Sequence, residues 1–282
     1  MTSATRKNLA NQSMVSAEQL EAGWQKLGKM YPAESWFRDV HLAENKGRIF
    51  RIFRDVIDRV PAAPGNELVD VGCFNGFLCQ LFHYFGYSVT GIDALADRDV
   101  PERAELLRGI DAKFYFANFN NLDPFPECPK NHFSAAVLGE VFEHILNHPS
   151  GLLVRIFEIL KPGGILILTT PNPFTLANSL RVLRGQGFVW GDTEFATMPK
   201  IAADGGIISY EGIHYREYSQ SLLLNLVGRA GFEVVKAEYI GPTVHAKQPW
   251  LNRAIKSSPV WSLLERTRLF GSGNYLVCRR PA

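Results

Sequence analysis

Short apolar segments alternate with helix-like segments between residues 67 and 170 of this 282-residue chain, and this alternation restricts the fold more than any other feature. Apolar residues run almost without interruption through the segments, as strands buried on both faces require. Strands that alternate with helices pair in parallel, with the helices on both faces of the sheet. The sequence therefore predicts a doubly wound α/β sheet. Its predicted strands are 67–72, 87–93, 113–116, 133–138 and 165–170, followed by 232–240 and 274–279.

The first sixty residues indicate helices that precede the sheet. Ser16 and Gln19 form a capping-box pattern, and apolar side chains recur at helical spacing from Ile49 to Val60. We therefore predict an N-terminal helical cap at 1–60 and a main domain at 61–282.

Two stretches of the main domain break the alternation. Residues 171–216 are rich in glycine and aromatic side chains, and a stretch of this length without secondary structure is usually functional, so we predict an inserted lid. Residues 245–270 are predicted to form a helical insertion.

Charge and composition exclude several classes of protein. The 30 Lys and Arg residues nearly balance the 28 Asp and Glu residues, for a net charge of +2, which argues against a sequence-independent nucleic-acid binder. No apolar run reaches the roughly 20 residues of a membrane span, and no apolar core follows the basic pair near the N-terminus. The four cysteines lack metal-ligand spacing. We expect a cytoplasmic protein without a nucleic-acid partner.

A glycine-rich turn follows the first strand, in the segment Val69-Asp-Val-Gly-Cys-Phe-Asn-Gly76. At the carboxyl end of a strand in a doubly wound sheet, such a turn is typical of a nucleotide site. The dinucleotide fingerprint fails because Phe74 and Phe77 stand where it needs glycines, and the Lys-Ser/Thr pair of a P-loop is absent. We therefore expect a ligand that has no phosphate to be cradled.

This segment resembles the first motif of the class I S-adenosylmethionine-dependent methyltransferases, an acidic residue followed by x-G-x-G-x-G. Asp70, Gly72 and Gly76 match the motif, and Phe74 replaces its middle glycine. The resemblance implies S-adenosylmethionine as cofactor and a Rossmann-like, doubly wound seven-stranded sheet with an antiparallel last strand. It continues in the correct order through the ends of the next strands and the turn before the fifth strand, at Asp93, Asn118-Phe119, Leu138-Gly-Glu140 and Leu160–Gly164.

The resemblance also implies roles in cofactor binding. Asp93 would hold the two ribose hydroxyls, and Asn118 and Phe119 would contact adenine. Asp70 would serve the ammonium group through backbone or water. Taken singly, Asp70 is equally typical of a helix N-cap and Asp93 of a turn. The other predicted cofactor contacts are Gly72, Cys73, Gly76, Ala94, Gly139 and Glu140.

Methyl transfer requires alignment of the two reactants and, for an acceptor that carries a proton, a base. The candidate catalytic residues are His144, Glu140, His214 and Tyr215. The segment from 140 to 144 resembles the E-x-x-E-H segment of ubiquinone-biosynthesis-type O-methyltransferases. That resemblance implies an alternative in which Glu140, Glu143 and His144 bind a divalent metal, and a helix that began at residue 140 would place them on one face. A packing role for Glu143 and His144 is a further alternative.

The sequence predicts O-methylation of a small molecule, with N- or C-methylation or a non-catalytic binding module as alternatives. Aromatic residues of the cap and lid suit an apolar, aromatic or glycosylated acceptor, or else pack the cap onto the sheet. Residues 245–270 combine tryptophans with basic residues, which suits a membrane surface or a lipid-linked acceptor, and equally a sheet edge or a homodimer contact. The aromatic residues concerned are Trp36, Phe37, Phe174, Phe188, Trp190 and Phe195.

Overall fold

A computed structural model of the protein describes the chain in eight ranges, 15–31, 42–95, 100–185, 199–201, 207–210, 214–241, 263–264 and 266–282. The chain divides into two compact units, 1–43 and 44–282. The predicted cap extended to residue 60, whereas the boundary between the units falls within the second helix.

The first unit contains helix α1, Ala17–Gly28. Its N-terminus has the predicted capping box, since the Ser16 hydroxyl accepts from the Gln19 N–H and the Gln19 side chain accepts from the Ser16 N–H. Leu20, Trp24 and Leu27 are buried, as expected of apolar residues at helical spacing.

The second unit contains most of helix α2 and the whole sheet. Its helices are α2 Leu42–Ile57, α3 Phe77–Tyr84, α4 Pro101–Arg108, α5 Pro149–Ile159, α6 Leu176–Leu183 and α7 Gln220–Arg229. Its strands are β1 Glu67–Val71, β2 Ser88–Asp93, β3 Lys113–Phe116, β4 Phe133–Gly139, β5 Leu160–Pro171, β6 Pro199–Ile201, β7 Ile207–Tyr210, β8 Glu233–Ile240 and β9 Gly273–Arg279.

Seven of these strands form one sheet in the order β3-β2-β1-β4-β5-β9-β8. Strands β1 to β5 pair in parallel, and β9 runs antiparallel to both β5 and β8. The predicted fold class is therefore confirmed. Every residue of β4 from Phe133 to Leu138 is buried, which accounts for its apolar sequence.

A polar network attaches helix α2 to the last two strands. The buried Asp55 carboxylate accepts from Tyr275 Oη at 2.8 Å on β9 and from Lys236 Nζ at 3.0 Å on β8. Arg59 Nη1 lies 2.7 Å from the other carboxylate oxygen of Asp55. About one turn earlier in the helix, Ile52 lies next to Gly139 at the carboxyl end of β4. Helix α2 is thereby fixed above the strand ends.

The two predicted insertions are only partly within the described residues. Residues 171–216 were expected to lack secondary structure, but they contain helix α6 and the antiparallel hairpin β6–β7. The lid itself stays a prediction. Of residues 245–270, only 263–264 and 266–270 are described. The predicted aromatic residues Trp36, Phe37, Phe188, Trp190 and Phe195 lie outside the described residues.

Within the described part of the chain, no helix combines the length and apolar character needed to cross a membrane.

Candidate active site

The turn after β1 brings the backbone close to the segment that follows β4. Gly72 and Gly76 have φ values of +81° and +80°, which glycine adopts without a steric cost. A Cβ atom on Gly72 would lie 2.2 Å from Val141 Cγ2, so only glycine fits there. The turn thus leaves backbone, rather than side chain, facing the strand ends.

Phe74, which replaces the middle glycine of the motif, also has a left-handed backbone, with a φ of +46°. Its N–H donates to Asp93 Oδ2 at 2.6 Å. The structure therefore keeps the backbone conformation typical of glycine and stabilises it by a bond to the carboxylate at the end of β2.

Asp93 is buried at the carboxyl end of β2. Its Oδ1 atom accepts from the Leu95 N–H at 2.8 Å, and Arg103 Nη1 lies 3.7 Å from the same atom. Burial raises the pKa of Asp93, and the N–H groups of Leu95 and Phe74 together with the Arg103 charge offset part of that rise.

Asp70 is buried within β1, and the nearby thiols of Cys73 and Cys79 are also buried. Cys79 Sγ lies 3.9 Å from Asp70 Oδ2. Burial and the Asp93 charge raise the pKa of Asp70 to about 7. Burial is also the main cause that raises the pKa of Cys73, so its thiol stays protonated at neutral pH.

The predicted adenine residues follow β3. Phe119 is buried in the main apolar core, as is Ala94, and the Asn118 side chain accepts from the Asn120 N–H at 3.1 Å. Phe116 was not among the predicted contacts, although it is paired with Asp93 across the sheet and is 50% exposed.

Glu140 follows β4 with a left-handed φ of +56°, and its Oε1 atom lies 2.9 Å from Arg48 Nη1 on helix α2. No α-helix begins at residue 140. A short 3-10 turn spans Phe142–His144 instead, so the predicted helical face of residues 140, 143 and 144 does not form. This ion pair, rather than a shared helical face, is the contact that the structure gives Glu140.

The structure brings Glu143 and His144 together with His214, seventy positions later. Single donor atoms of the three side chains lie within 4.8 Å of one another, and the two imidazole rings meet edge to face with centroids 5.0 Å apart. Of the three residues in the predicted metal alternative, Glu143 and His144 thus lie together with His214, whereas Glu140 pairs with Arg48. Tyr215, also predicted, follows His214 and is half-buried.

Two further side chains orient this cluster. Thr170 Oγ1 donates to Glu143 Oε2 at 2.8 Å, and Glu217 Oε1 lies 3.0 Å from His214 Nδ1. Burial of Glu143 and the nearby Glu140 charge raise its pKa to about 8. Burial lowers the pKa of His214, but Glu217 and the other carboxylates outweigh this effect and raise it. Neither Thr170 nor Glu217 was predicted, because each acts through another side chain.

Comparison with known proteins places this geometry in a family. A family model described as a methyltransferase domain matches residues 45–237. A ubiquinone biosynthesis O-methyltransferase of Maricaulis maris is 26% identical over 198 residues, which cover 68% of this chain and 75% of that protein. A trans-aconitate 2-methyltransferase of Delftia acidovorans is 31% identical over 159 residues, 53% of this chain and 50% of that protein.

A solved S-adenosylmethionine-dependent methyltransferase from Mesorhizobium loti has the same fold, with a TM-score of 0.54 and 18% identity over 84% of this chain and 98% of that chain. The sheet order, the reversed β9 and the glycine turn after β1 are those of a class I S-adenosylmethionine-dependent methyltransferase. Because the family model spans more than half of the sequence, the chain belongs to the methyltransferase-domain family. It is an enzyme that uses S-adenosylmethionine as its methyl donor.

Proposed function

We propose that this methyltransferase methylates a hydroxyl group of a small-molecule acceptor, with His144 as the general base. The observation that carries the proposal is the convergence of His144, His214 and Glu143 just after the end of β4, next to the turn that follows β1. Two histidines at such a position suit an acceptor that must lose a proton.

The residues of the β1 turn fit the cofactor. When bound, S-adenosylmethionine supplies an electrophilic methyl group on a positively charged sulfur. In the proposed arrangement, the turn from Gly72 to Gly76 allows close approach of the ligand to the backbone, and Asp93 accepts from the ribose hydroxyls. The remaining predicted cofactor contacts stay part of the proposal, at Asp70, Cys73, Ala94, Asn118, Phe119, Gly139 and Glu140.

The two histidines differ in the partners that the fold gives them. Glu217 binds Nδ1 of His214 and favours its protonated form, which suits a group that orients or stabilises an acceptor oxygen. The side chain of His144 is 33% exposed and is the better placed to take a proton from an incoming hydroxyl. Tyr215 is proposed as a wall or hydrogen-bond donor of the acceptor pocket.

Replacement of His144 tests the base. His144→Ala should lower the rate of S-adenosylhomocysteine release about 100-fold or more with a panel of phenols and catechols. Its affinity for S-adenosylhomocysteine, measured by calorimetry, should stay within about twofold. His83→Ala, at an exposed histidine of α3, is the matched control. An unchanged rate in His144→Ala would exclude this base.

A chelator titration separates the base from a metal. Activity that is lost with a chelator and restored by Mg²⁺ would make Glu143, His144 and His214 metal ligands instead. If only amine or carbon acceptors were methylated, the proposed hydroxyl acceptor would be wrong and the N- or C-methylation alternative would take its place. Binding of S-adenosylhomocysteine without turnover on any acceptor class would favour a non-catalytic binding module.

The proposed acceptor is amphiphilic, which follows from an apolar surface formed by α6 and residues 266–270. The two segments are joined by a hydrogen bond from the Leu176 N–H to the Leu269 carbonyl at 2.8 Å. Arginines of these segments add positive charge, and no acidic residue occurs in 172–185 or 266–272. The exposed apolar side chains are Phe174, Leu176, Leu180, Val182, Leu183 and Leu269.

This surface suits an anionic lipid layer that carries the acceptor. Leu183→Glu, at a side chain that is 82% exposed, should reduce co-sedimentation with vesicles that contain phosphatidylglycerol. Leu122→Glu, at a leucine 78% exposed in another part of the sheet domain, is the control. Equal co-sedimentation of both variants would remove the lipid contact from the proposal. A cytoplasmic location and a homodimer stay predictions.

A further inference from the structure

A buried arginine lies behind the carboxylate at the end of β2. Arg103, on helix α4, has no exposed surface. Its guanidinium donates through Nη2 to the Leu95 carbonyl at 2.7 Å and through Nη1 to the Phe74 carbonyl at 3.3 Å. It also stacks on the Phe114 ring, 4.3 Å from the ring centroid. None of the catalytic or binding roles described above uses this side chain.

The two carbonyls that Arg103 binds belong to the two residues whose N–H groups bind Asp93. Phe74 donates its N–H to Asp93 Oδ2, and Leu95 donates its N–H to Asp93 Oδ1. Each of the two residues thus connects the carboxylate to the guanidinium, and the four residues form a closed ring of hydrogen bonds. The ring joins the turn after β1 to the turn after β2.

This ring offsets two unfavourable features of the site. A phenylalanine with a φ of +46° is strained, and its peptide group is held on one side by Asp93 and on the other by Arg103. A buried carboxylate is stabilised in its charged form by a nearby guanidinium and by N–H donors. A planar guanidinium can bind two carbonyls at once, which a lysine ammonium on a flexible chain does less well.

We propose that Arg103 is a positioning residue of the cofactor site, which holds Phe74 and Leu95 in place around Asp93 and so aims its carboxylate at the vicinal diol of the ribose. The inference rests on the proposed role of Asp93. It predicts that Arg103 contributes to the recognition of the diol without contacting the cofactor.

Binding of S-adenosylhomocysteine and of its 2′-deoxy analogue, measured by calorimetry on the full chain, tests this inference. The wild-type protein should prefer the diol, because a site built to bind a hydroxyl rejects a ligand that lacks it. Arg103→Met should weaken S-adenosylhomocysteine about tenfold or more and reduce the preference over the deoxy analogue. Its rate at saturating cofactor should change much less than its KM for S-adenosylmethionine.

Arg155 provides the matched control. It is also a buried arginine, and it donates to the carbonyls of Phe125 and Cys128 away from the β1 turn. Arg155→Met should lower the free energy of unfolding while affinity and diol preference stay within about twofold. If Arg103 has a purely structural role, Arg103→Met should likewise lose stability while its affinity and diol preference stay unchanged. That result would overturn the proposal.

Two more variants keep the outcomes distinct. Arg103→Lys retains the charge but not the planar fork, and it decides the question if the Met variant does not fold. A weakened diol preference in Arg103→Lys supports the proposal, and wild-type binding overturns it. Asp93→Asn tests the proposed ribose contact of Asp93, because an unchanged preference for the diol in this variant would refute that contact. Loss of the diol preference in Asp93→Asn but not in the Arg103 variants would refute only the positioning role of Arg103.

Discussion

Replacement of Gly72 by alanine should destabilise the protein through two separable effects. The first is its left-handed backbone, which costs an alanine about 1–2 kcal/mol. The second is the new Cβ atom, which would lie 2.2 Å from Val141 Cγ2 and 3.3 Å from Val141 Cβ. Overpacking of a buried contact costs typically about 1–3 kcal/mol. The expected loss in the free energy of unfolding is therefore about 2–5 kcal/mol.

Two other glycines separate the effects. Gly65 has a φ of +85°, but a Cβ atom added to it would meet no atom within 4 Å, so Gly65→Ala should show only the backbone cost of about 1–2 kcal/mol. Gly228 is exposed in α7, and a Cβ atom there would also have no neighbour within 4 Å. Because alanine favours a helix more than glycine does, Gly228→Ala should stabilise the protein by about 0.5–1 kcal/mol.

Urea denaturation of the three variants measures these differences, and S-adenosylhomocysteine calorimetry measures the effect on the site. Gly72→Ala should also bind this ligand more weakly, because the turn has to move away from Val141. Addition of Val141→Ala to Gly72→Ala should recover part of both losses. If Gly72→Ala is no less stable than Gly65→Ala, the contact with Val141 is not a rigid constraint and the reasoning fails.

Three further outcomes follow from buried polar groups. Burial alone would raise the pKa of Asp55, but the hydrogen bonds from Lys236 and Tyr275 and the neighbouring positive charges outweigh burial and lower the pKa. The ionised Asp55 should therefore stabilise the fold above the unfolded pKa. This stabilisation should be lost as the pH falls through the lower folded pKa. Asp55→Asn should abolish that acid-side dependence in urea titrations. The pKa of Glu143 is raised to about 8, so its contribution to the free energy of unfolding is greatest below its unfolded pKa and is lost as the pH rises through 8. Glu143→Gln should remove this loss. Parallel curves of unfolding free energy against pH for variant and wild type would contradict the raised pKa. Asn172→Ala removes hydrogen bonds to the carbonyls of Arg268 and Gly271. It should lower the free energy of unfolding in urea by about 1–3 kcal/mol. An unchanged urea midpoint would show that the turn at 268–271 does not depend on the Asn172 side chain.

The central strands of the sheet were predictable because β1, β4 and β9 are almost wholly buried, which accounts for their apolar sequences. Strand β3, at the edge of the sheet, is only half-buried or exposed, but it coincides with the predicted strand at 113–116. The order of motifs identified the strand ends where the proposed cofactor residues lie. The start of the fifth strand was predicted less well, because α5 ends at Ile159 and β5 begins at Leu160, five residues before the predicted strand at 165–170.

The polar parts of the site were less predictable because they depend on contacts between distant segments. The helical face expected after β4 assumed helical backbone at residue 140, and the left-handed Glu140 interrupts it. Arg103 occurs in the polar sequence Pro-Glu-Arg-Ala-Glu, where periodicity suggests a solvated side chain. Its side chain instead contacts the turns after β1 and β2 and the Phe114 ring on β3, and no local sequence pattern indicates these contacts.

The position of β9 in the sheet affects the order in which the protein folds. This strand pairs with β5 on one side and β8 on the other, and in the described sheet β8 has no other partner. Ile165 meets Arg279 in that pairing, so the chain must close a loop of more than one hundred residues before the sheet is complete. Until then β5 presents a bare edge of backbone donors and acceptors, which invites pairing with other chains. Refolding at high protein concentration should therefore lose material to aggregation before β9 and β8 join the sheet together.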